Sequence, residues 1–328
     1  MAAVTADTLT LPRLARPGPD SRPRPVATVL EAPVALEGEG FQVRRAFAGL
    51  DLSLVDPFLL LDHLGAVEYG PGEAKGAPDH PHRGMETVTY MIDGALEHRD
   101  STGGGGLVTD GATQWMTAGA GIVHSEMPPE ALVRAGGLFH GSQLWVNLPA
   151  TEKWAPPRYQ GIAGGEVALL ASEDGGALVR IIAGSLGGVP GPGSTRTPIT
   201  YAHLTLSPGA RVALPWDPDF NGLAYALAGR GAAGAAAAPL VEGHLAVFGP
   251  GPADAPGHLV LAAEEHQPAA APAGLDVLVM GGRPLGEPIA WYGPFVMNTR
   301  TEILQAVEDY QAGRMGRIPP ATAAPSPV

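Results

Sequence analysis

Asp79-His80-Pro81-His82-Arg83-Gly84-Met85-Glu86-Thr87-Val88-Thr89-Tyr90 is followed further along the chain by Gln114-Trp115-Met116-Thr117-Ala118-Gly119-Ala120-Gly121-Ile122-Val123-His124-Ser125-Glu126-Met127-Pro128. In an extended strand alternate side chains share a face, which pairs His80 with His82 and His124 with Glu126. Two such strands brought together inside a barrel make three imidazoles and a carboxylate converge. Nitrogen-rich ligands with room for water suit divalent iron, copper, nickel, manganese or zinc, whereas magnesium and calcium prefer oxygen. Glu86, four residues after His82, is a second carboxylate that strand parity also allows at the ion.

The surrounding chain is patterned for β-structure. Thr87 to Ile92 is β-branched and aromatic, Asp93-Gly94 signals a hairpin, and Ala95 to Asp100 leads away from it. Gly103 to Gly106 makes another turn; without a following Lys-Ser/Thr and helix it is no phosphate loop. Short runs at Val26–Leu30, Phe41–Phe47, Gln143–Leu148, Ile199–Leu206, Gly222–Ala228, His244–Phe248 and Leu275–Met280 continue the pattern. The alternation predicts an all-β protein of two barrel domains. The expected bounds are a disordered extension over 1–26, a metal-binding domain over 27–150, a linker over 151–164, a second domain over 165–316 and a disordered tail over 317–328. Asn298 to Tyr310 has helical spacing at Ile303, Val307 and Tyr310 and predicts one short C-terminal helix, while the Ala/Gly-rich stretch Gly229–Pro239 reads as a low-complexity turn.

Composition narrows the functional classes. A net charge of −13 disfavours direct nucleic-acid binding, which draws its affinity from Lys and Arg on phosphates. The chain has no cysteine, so disulfides, thiolate metal sites and thiol nucleophiles are all excluded and any metal falls to His and carboxylate. The 46 glycines and 34 prolines approach the range of disordered chains, but 45% hydrophobic and 16% charged residues favour folded, turn-rich β-structure. With neither a signal-peptide pattern nor a membrane-spanning apolar run, the expectation is a cytoplasmic protein that does not engage membranes.

The ordered set His80-x-His82-x-x-x-Glu86 and Gly121-x-x-His124 resembles the two metal motifs of cupin barrels. Together with Glu97 to Ser101, Gln143 to Pro149, Tyr159-Gln160 and Gly293 to Thr299, it resembles the pirin family of bicupins over nearly all of Val26 to Gly316. That resemblance implies two jelly-roll cupin domains, with a metal in the first held by His80, His82, His124 and Glu126. It implies Fe2+ first, with Cu, Ni, Mn, Co and Zn as alternatives. Glu86 then becomes an outer residue that orients an imidazole or pairs with Arg83. The second domain, whose His203, His244, His258 and His266 are scattered singly, is expected to be metal-free. His63 is expected to be structural and His98 to join a surface network with Arg99 and Asp100.

Several pirins resemble quercetin 2,3-dioxygenases, so the implied activity is opening of a flavonol such as quercetin with dioxygen. Glu126 is then both ligand and general base, the substrate a small aromatic enol, and Phe58, Met85, Trp115 and Met116 candidates for an apolar wall. The alternative is a non-enzymatic, metal-dependent regulator that binds a protein partner, a transcription factor or a metabolic enzyme. A monomer is expected, since two barrels can cover each other's faces.

Overall fold

The computed structural model describes residues 4–252, 254–271 and 273–320. Each half of the chain builds a larger and a smaller sheet. In the first barrel the larger sheet runs, edge to edge, through Arg158–Ile162, Thr113–Thr117, Met85–Asp93, Gly137–Asn147, Phe58–His63, Phe41–Arg45 and Val34–Glu37. The smaller orders Gly105–Val108, Leu96–Asp100, Ile122–Met127 and Ala77–His82. The second barrel repeats the plan with Ala168–Ala171, Ala177–Ala183, Ile199–Leu206, Leu275–Gly282, Gly222–Ala228 and His244–Phe248 in its larger sheet.

The two larger sheets pack face to face, and strand parity decides what each face holds. On Met85–Asp93, Val88, Tyr90 and Ile92 join Ile182, Tyr201, Tyr225 and Met280 in a core shared by both barrels, while Thr87, Thr89 and Met91 take the other parity. The interior of the second barrel is filled by another set, including Ala202, Leu204, Ala224, Val277 and Val279. The shared core also carries polar contacts. His63 faces the Tyr225 hydroxyl at 3.2 Å, its Nε2 lies 2.9 Å from that of His140, and Tyr90 Oη is 3.0 Å from His203 Nδ1. His63 is therefore structural, as expected. His203 also points at the first barrel, away from the interior of its own.

The chain ends cross over, and here the structure corrects the expected bounds. Residues 4–26 are placed on the second barrel: Leu14 is buried and bonds to Ala171, Arg22–Pro23 pairs in parallel with Gly257–Ala263, and buried Arg24 donates to Asp217 O and Phe220 O. Val26–Glu31, expected in the first domain, pairs with His244–Phe248 of the second. The expected linker contains Arg158–Ile162, which pairs with Thr113–Thr117 of the first barrel. The Gly229–Pro239 stretch spans a hairpin of Arg230–Ala233 with Ala238–Val241, because its small side chains fit where Gly231 lies against the backbone of Ala262. Of the expected tail, 317–320 is described, and Arg99 Nη2 donates to Pro319 O; 321–328 lies outside the described residues.

The C-terminal end returns the exchange. Ala290–Tyr292 and Phe295–Met297 form a hairpin against the first barrel, followed by the helix Arg300–Gln311. The Thr299 side chain accepts from Glu302 N and the Glu302 carboxylate accepts from Thr299 N, so both unpaired ends of the first turn are satisfied. Ile303 and Ala306 pack with Val123, Phe295 and Met315, and Arg83 of the first barrel pairs with Asp309 of the helix at 2.8 Å with both side chains nearly covered. A second short helix, Glu130–Ala135, was not foreseen. Among the described residues no helix is long and apolar enough to cross a membrane.

Candidate metal centre

His80 and His82 end the strand Ala77–His82, and His124 lies opposite His80 on the antiparallel strand Ile122–Met127. The three rings meet with centroids 4.3 to 4.9 Å apart, and one nitrogen from each lies within 4.8 Å of the others. A backbone carbonyl only accepts, so the ring nitrogen facing it must carry the proton. His80 Nδ1 donates to Pro78 O at 2.7 Å and His82 Nδ1 to Pro294 O at 3.2 Å, which leaves Nε2 of each with a free lone pair. His124 Nε2 is buried without a partner. An orphaned acceptor in the interior costs about 1–3 kcal/mol, which a cation at that point would offset.

Electrostatics reinforces the donor state. Burial, and then the charge of His80, pushes the His82 and His124 imidazoles well below the usual histidine range, so both are neutral and able to coordinate at pH 7.

Glu126 follows on the same face as His124, past a register shift in the pairing with Ala77–His82. Its Oε1 accepts from Thr89 Oγ1 at 2.6 Å and from Gln114 Nε2, and its Oε2 accepts from Gln143 Nε2 at 2.7 Å. A carboxylate offers about four lone-pair positions. Three are taken by neutral donors, leaving one on Oε2. The donors also explain how a buried carboxylate is tolerated at all. Trp145 Nε1 donates to Gln143 Oε1 at 3.1 Å and so fixes which end of that amide faces Glu126.

The other expectations divide. Glu86 is buried elsewhere, accepting from Thr117 Oγ1 at 2.7 Å and Thr195 Oγ1 at 3.1 Å; it orients no imidazole, and Arg83 pairs with Asp309 instead. Burial raises the Glu86 carboxyl, and the hydroxyl donors only partly counter it. His98 is not on the surface. The strand Leu96–Asp100 turns Leu96, His98 and Asp100 inward and leaves Glu97 and Arg99 half-exposed, so the charged neighbours misled the reading. His98 is fully buried and forms a second possible donor group with His124 and Glu126, but both of its nitrogens face protein partners, Asp100 Oδ2 at 3.4 Å and His124 Nδ1 at 3.3 Å. Among the described residues no comparable cluster lies in the second barrel.

His80, His82 and Glu126 line a cavity of about 620 Å3 whose apolar walls are Phe41, Leu60, Leu64, Leu96, Phe139 and the indoles of Trp145 and Trp291. Arg45, held by Asp62 at 2.9 and 2.7 Å, lies at its rim. Phe58, Met85, Trp115 and Met116 do not line it. Phe58 and Trp115 face the second barrel, Met85 packs on Leu59 and Val296, and Met116 on Ala118 and Ile122. The residues missed by the sequence reading are Thr89, Gln114 and Gln143, which share Glu126's surroundings by parity, and Pro294, which no local pattern connects to His82.

Two jelly-roll barrels in one chain, with a histidine cluster in the first and a filled second, define a bicupin. Family models described as Pirin and as Pirin C-terminal cupin domain match residues 40–146 and 201–316. The chain is 41% identical to a pirin-like protein of Solanum lycopersicum over 90% of this chain and 94% of that one, and 38% identical to pirin-like protein 2 of Arabidopsis thaliana over 89% and 86%. It is also similar to a crystal structure of a quercetin 2,3-dioxygenase from Acinetobacter baumannii, with a TM-score of 0.82, 33% identity, and 91% of this chain and 100% of that one covered. The protein belongs to the pirin family.

Proposed function

We propose that this chain is a metal-dependent dioxygenase that opens flavonols such as quercetin, with His80, His82, His124 and Glu126 as the ligands of one divalent transition metal. The observation that carries the reading is the free Nε2 set beside a carboxylate with one lone pair in hand, on the wall of an aromatic-lined cavity. A likeness to a protein named quercetin 2,3-dioxygenase at 33% identity supports the same substrate class. When bound, the metal would supply Lewis acidity toward an enol hydroxyl and a meeting place for the enol and dioxygen. The chain's own residues do the rest. Trp145, Trp291 and Phe139 offer flat faces for an aromatic ring and exclude water. The one free lone pair on Glu126 Oε2 would serve two roles in turn, as ligand in the resting centre and as acceptor of the hydroxyl proton once substrate is bound, and Thr89, Gln114 and Gln143 keep that carboxylate aimed. His₃Glu donors accept most late first-row ions, so iron is the first of several candidates.

Protein loaded anaerobically with Fe2+, Co2+, Ni2+, Cu2+, Mn2+ or Zn2+ and then given quercetin and air should consume flavonol and release carbon monoxide with at least one ion. Glu126→Gln should abolish this. Absence of turnover with every ion refutes the enzymatic reading. One observation favours a second reading, a metal-dependent binding protein. Pro294, which accepts from the His82 ring, sits in the same hairpin as Tyr292, 66% exposed, so one hairpin touches both a proposed ligand and an exposed aromatic surface. Metal-dependent retention of a partner without flavonol turnover would select it.

A further inference from the structure

Behind the three imidazoles lies a chain of polar contacts that the proposed reaction does not use. Asp100 Oδ1 is fully engaged by its own turn, accepting from Thr102 N at 2.8 Å, Thr102 Oγ1 at 2.6 Å and Gly104 N at 3.0 Å. Oδ2 is left to face His98 Nε2 at 3.4 Å. A carboxylate only accepts, so His98 carries its proton on Nε2 and presents a lone pair at Nδ1. That lone pair faces His124 Nδ1 at 3.3 Å, so the His124 proton sits on Nδ1 and its Nε2 is the free acceptor. Tyr159 stacks on the His98 ring with centroids 4.7 Å apart and planes 25° from parallel, which holds the ring in the plane this contact needs. His80 and His82 are fixed by carbonyls; His124, the most buried of the three, has no carbonyl on Nδ1 and depends on His98 instead.

We infer that Asp100 and His98 are positioning residues that set the tautomer of His124, and through it the affinity of the proposed centre for its metal. The inference rests on the metal reading above but has an arm that does not need it. Asp100→Asn is the diagnostic change. The three donors at Oδ1 require the amide oxygen to stay there, so the amide NH₂ takes the place of Oδ2 and donates to His98 Nε2. His98 must then protonate Nδ1, which sets donor against donor at His124. The side chain keeps its volume and the turn keeps its bonds, so the fold is retained. His98→Asn, by contrast, can place an amide oxygen where Nδ1 was and still accept from His124.

The experiment uses the full chain stripped of metal by a chelator and labelled with 15N at its ten histidines. Long-range proton–nitrogen correlation spectra, assigned by His124→Gln and His98→Asn, should show His124 as the Nδ1–H tautomer and His98 as Nε2–H. Competition against a chromophoric chelator with Co2+ should show Asp100→Asn losing affinity by about ten- to a hundredfold. The Co2+ ligand-field bands should change in the same variant, and His98→Asn should retain most of the affinity. His124 found with its proton on Nε2, or Asp100→Asn binding Co2+ as tightly as the unaltered chain, overturns the inference. An unaltered chain that binds no ion refutes the metal reading alone, and the tautomer spectra still decide the relay.

Discussion

Gly84 lies against the backbone of the C-terminal hairpin, and Gly84→Ala tests whether that hairpin is part of the centre. Its φ is +83°, and a Cβ there would stand 2.0 Å from Val296 O and 2.7 Å from Met297 Sδ. Ordinary contact begins at 3.4 Å, so the hairpin must withdraw by roughly 1.4 Å because packed interiors leave no slack. Three hydrogen bonds cannot follow: Val296 N to Arg83 O at 3.1 Å, Lys153 Nζ to Val296 O at 2.9 Å, and His82 Nδ1 to Pro294 O at 3.2 Å. At about 1 kcal/mol each, with about 1–2 kcal/mol for an alanine held in left-handed backbone, the change should cost about 4–5 kcal/mol in urea unfolding. It should also weaken metal uptake, because the His82 ring loses the carbonyl that orients it. Gly293→Ala on the same hairpin is the control: φ is +53° but nothing lies within 4 Å of its Cβ, so only the backbone cost of about 1–2 kcal/mol applies. If the two variants unfold at the same urea concentration, or if Gly84→Ala binds metal normally, the hairpin is a bystander and the reasoning fails.

Arg83→Met should cost about 1.5–3 kcal/mol in the same assay, since Asp309 Oδ2 loses its charged donor while Oδ1 keeps Arg314 at 2.6 Å and Gln305 at 3.0 Å; Asp309→Asn with Arg83→Met should recover part of the loss. Acid should loosen the contact between the barrels. Burial, then the charges of His140 and Arg44, lowers His63 to about 3, and burial, then Arg180, lowers His203 to about 4 despite Asp276. Both folded values lie below the ordinary 6.5, so below that pH the unfolded chain binds protons that the fold refuses. Stability therefore falls as pH drops through that window, by about 1 kcal/mol per histidine between pH 7 and 5.5. Urea unfolding at the two pH values should show this difference, and His63→Asn with His203→Asn should reduce it by about 2 kcal/mol, leaving the part that comes from the buried His82 and His124; an unchanged difference would place its origin elsewhere.

What was legible in the chain was what strand parity and local turn chemistry carry. His80 with His82, and His124 with Glu126, could be paired on common strand faces because alternation needs only a few residues to read, while the meeting of the two strands followed from the resemblance to the cupin motifs; the helix could be placed because Thr299 and Glu302 mark its start. His98 was misassigned because alternation says which residues share a face but not which face is inside; Glu97 and Arg99 suggested water on both sides. The crossed ends were illegible for a different reason. Val26–Glu31 reads as a strand wherever it pairs, and its partner His244–Phe248 lies far along the chain, so the local pattern contains no record of the pairing. Pro294 at the His82 ring is the same limitation at the site itself.

The two barrels share a plan, yet among the described residues the cluster of possible metal donors lies in the first alone, and the difference lies in more than the histidines. Where the first barrel turns Thr89, Gln114 and Gln143 toward Glu126, the second fills its interior with Ala202, Ala224, Val277 and Val279. A carboxylate placed there would lose its hydration with no donors to replace it, a cost of several kcal/mol that lifts its proton affinity until it is neutral. Imidazoles grafted alone into the second barrel would likewise lack the carbonyl and imidazole partners that face Nδ1 of His80, His82 and His124. The proposed metal centre thus depends on a polar inner wall assembled from several strands and closed by the returning hairpin. The histidines are the part of that wall that a sequence displays most openly.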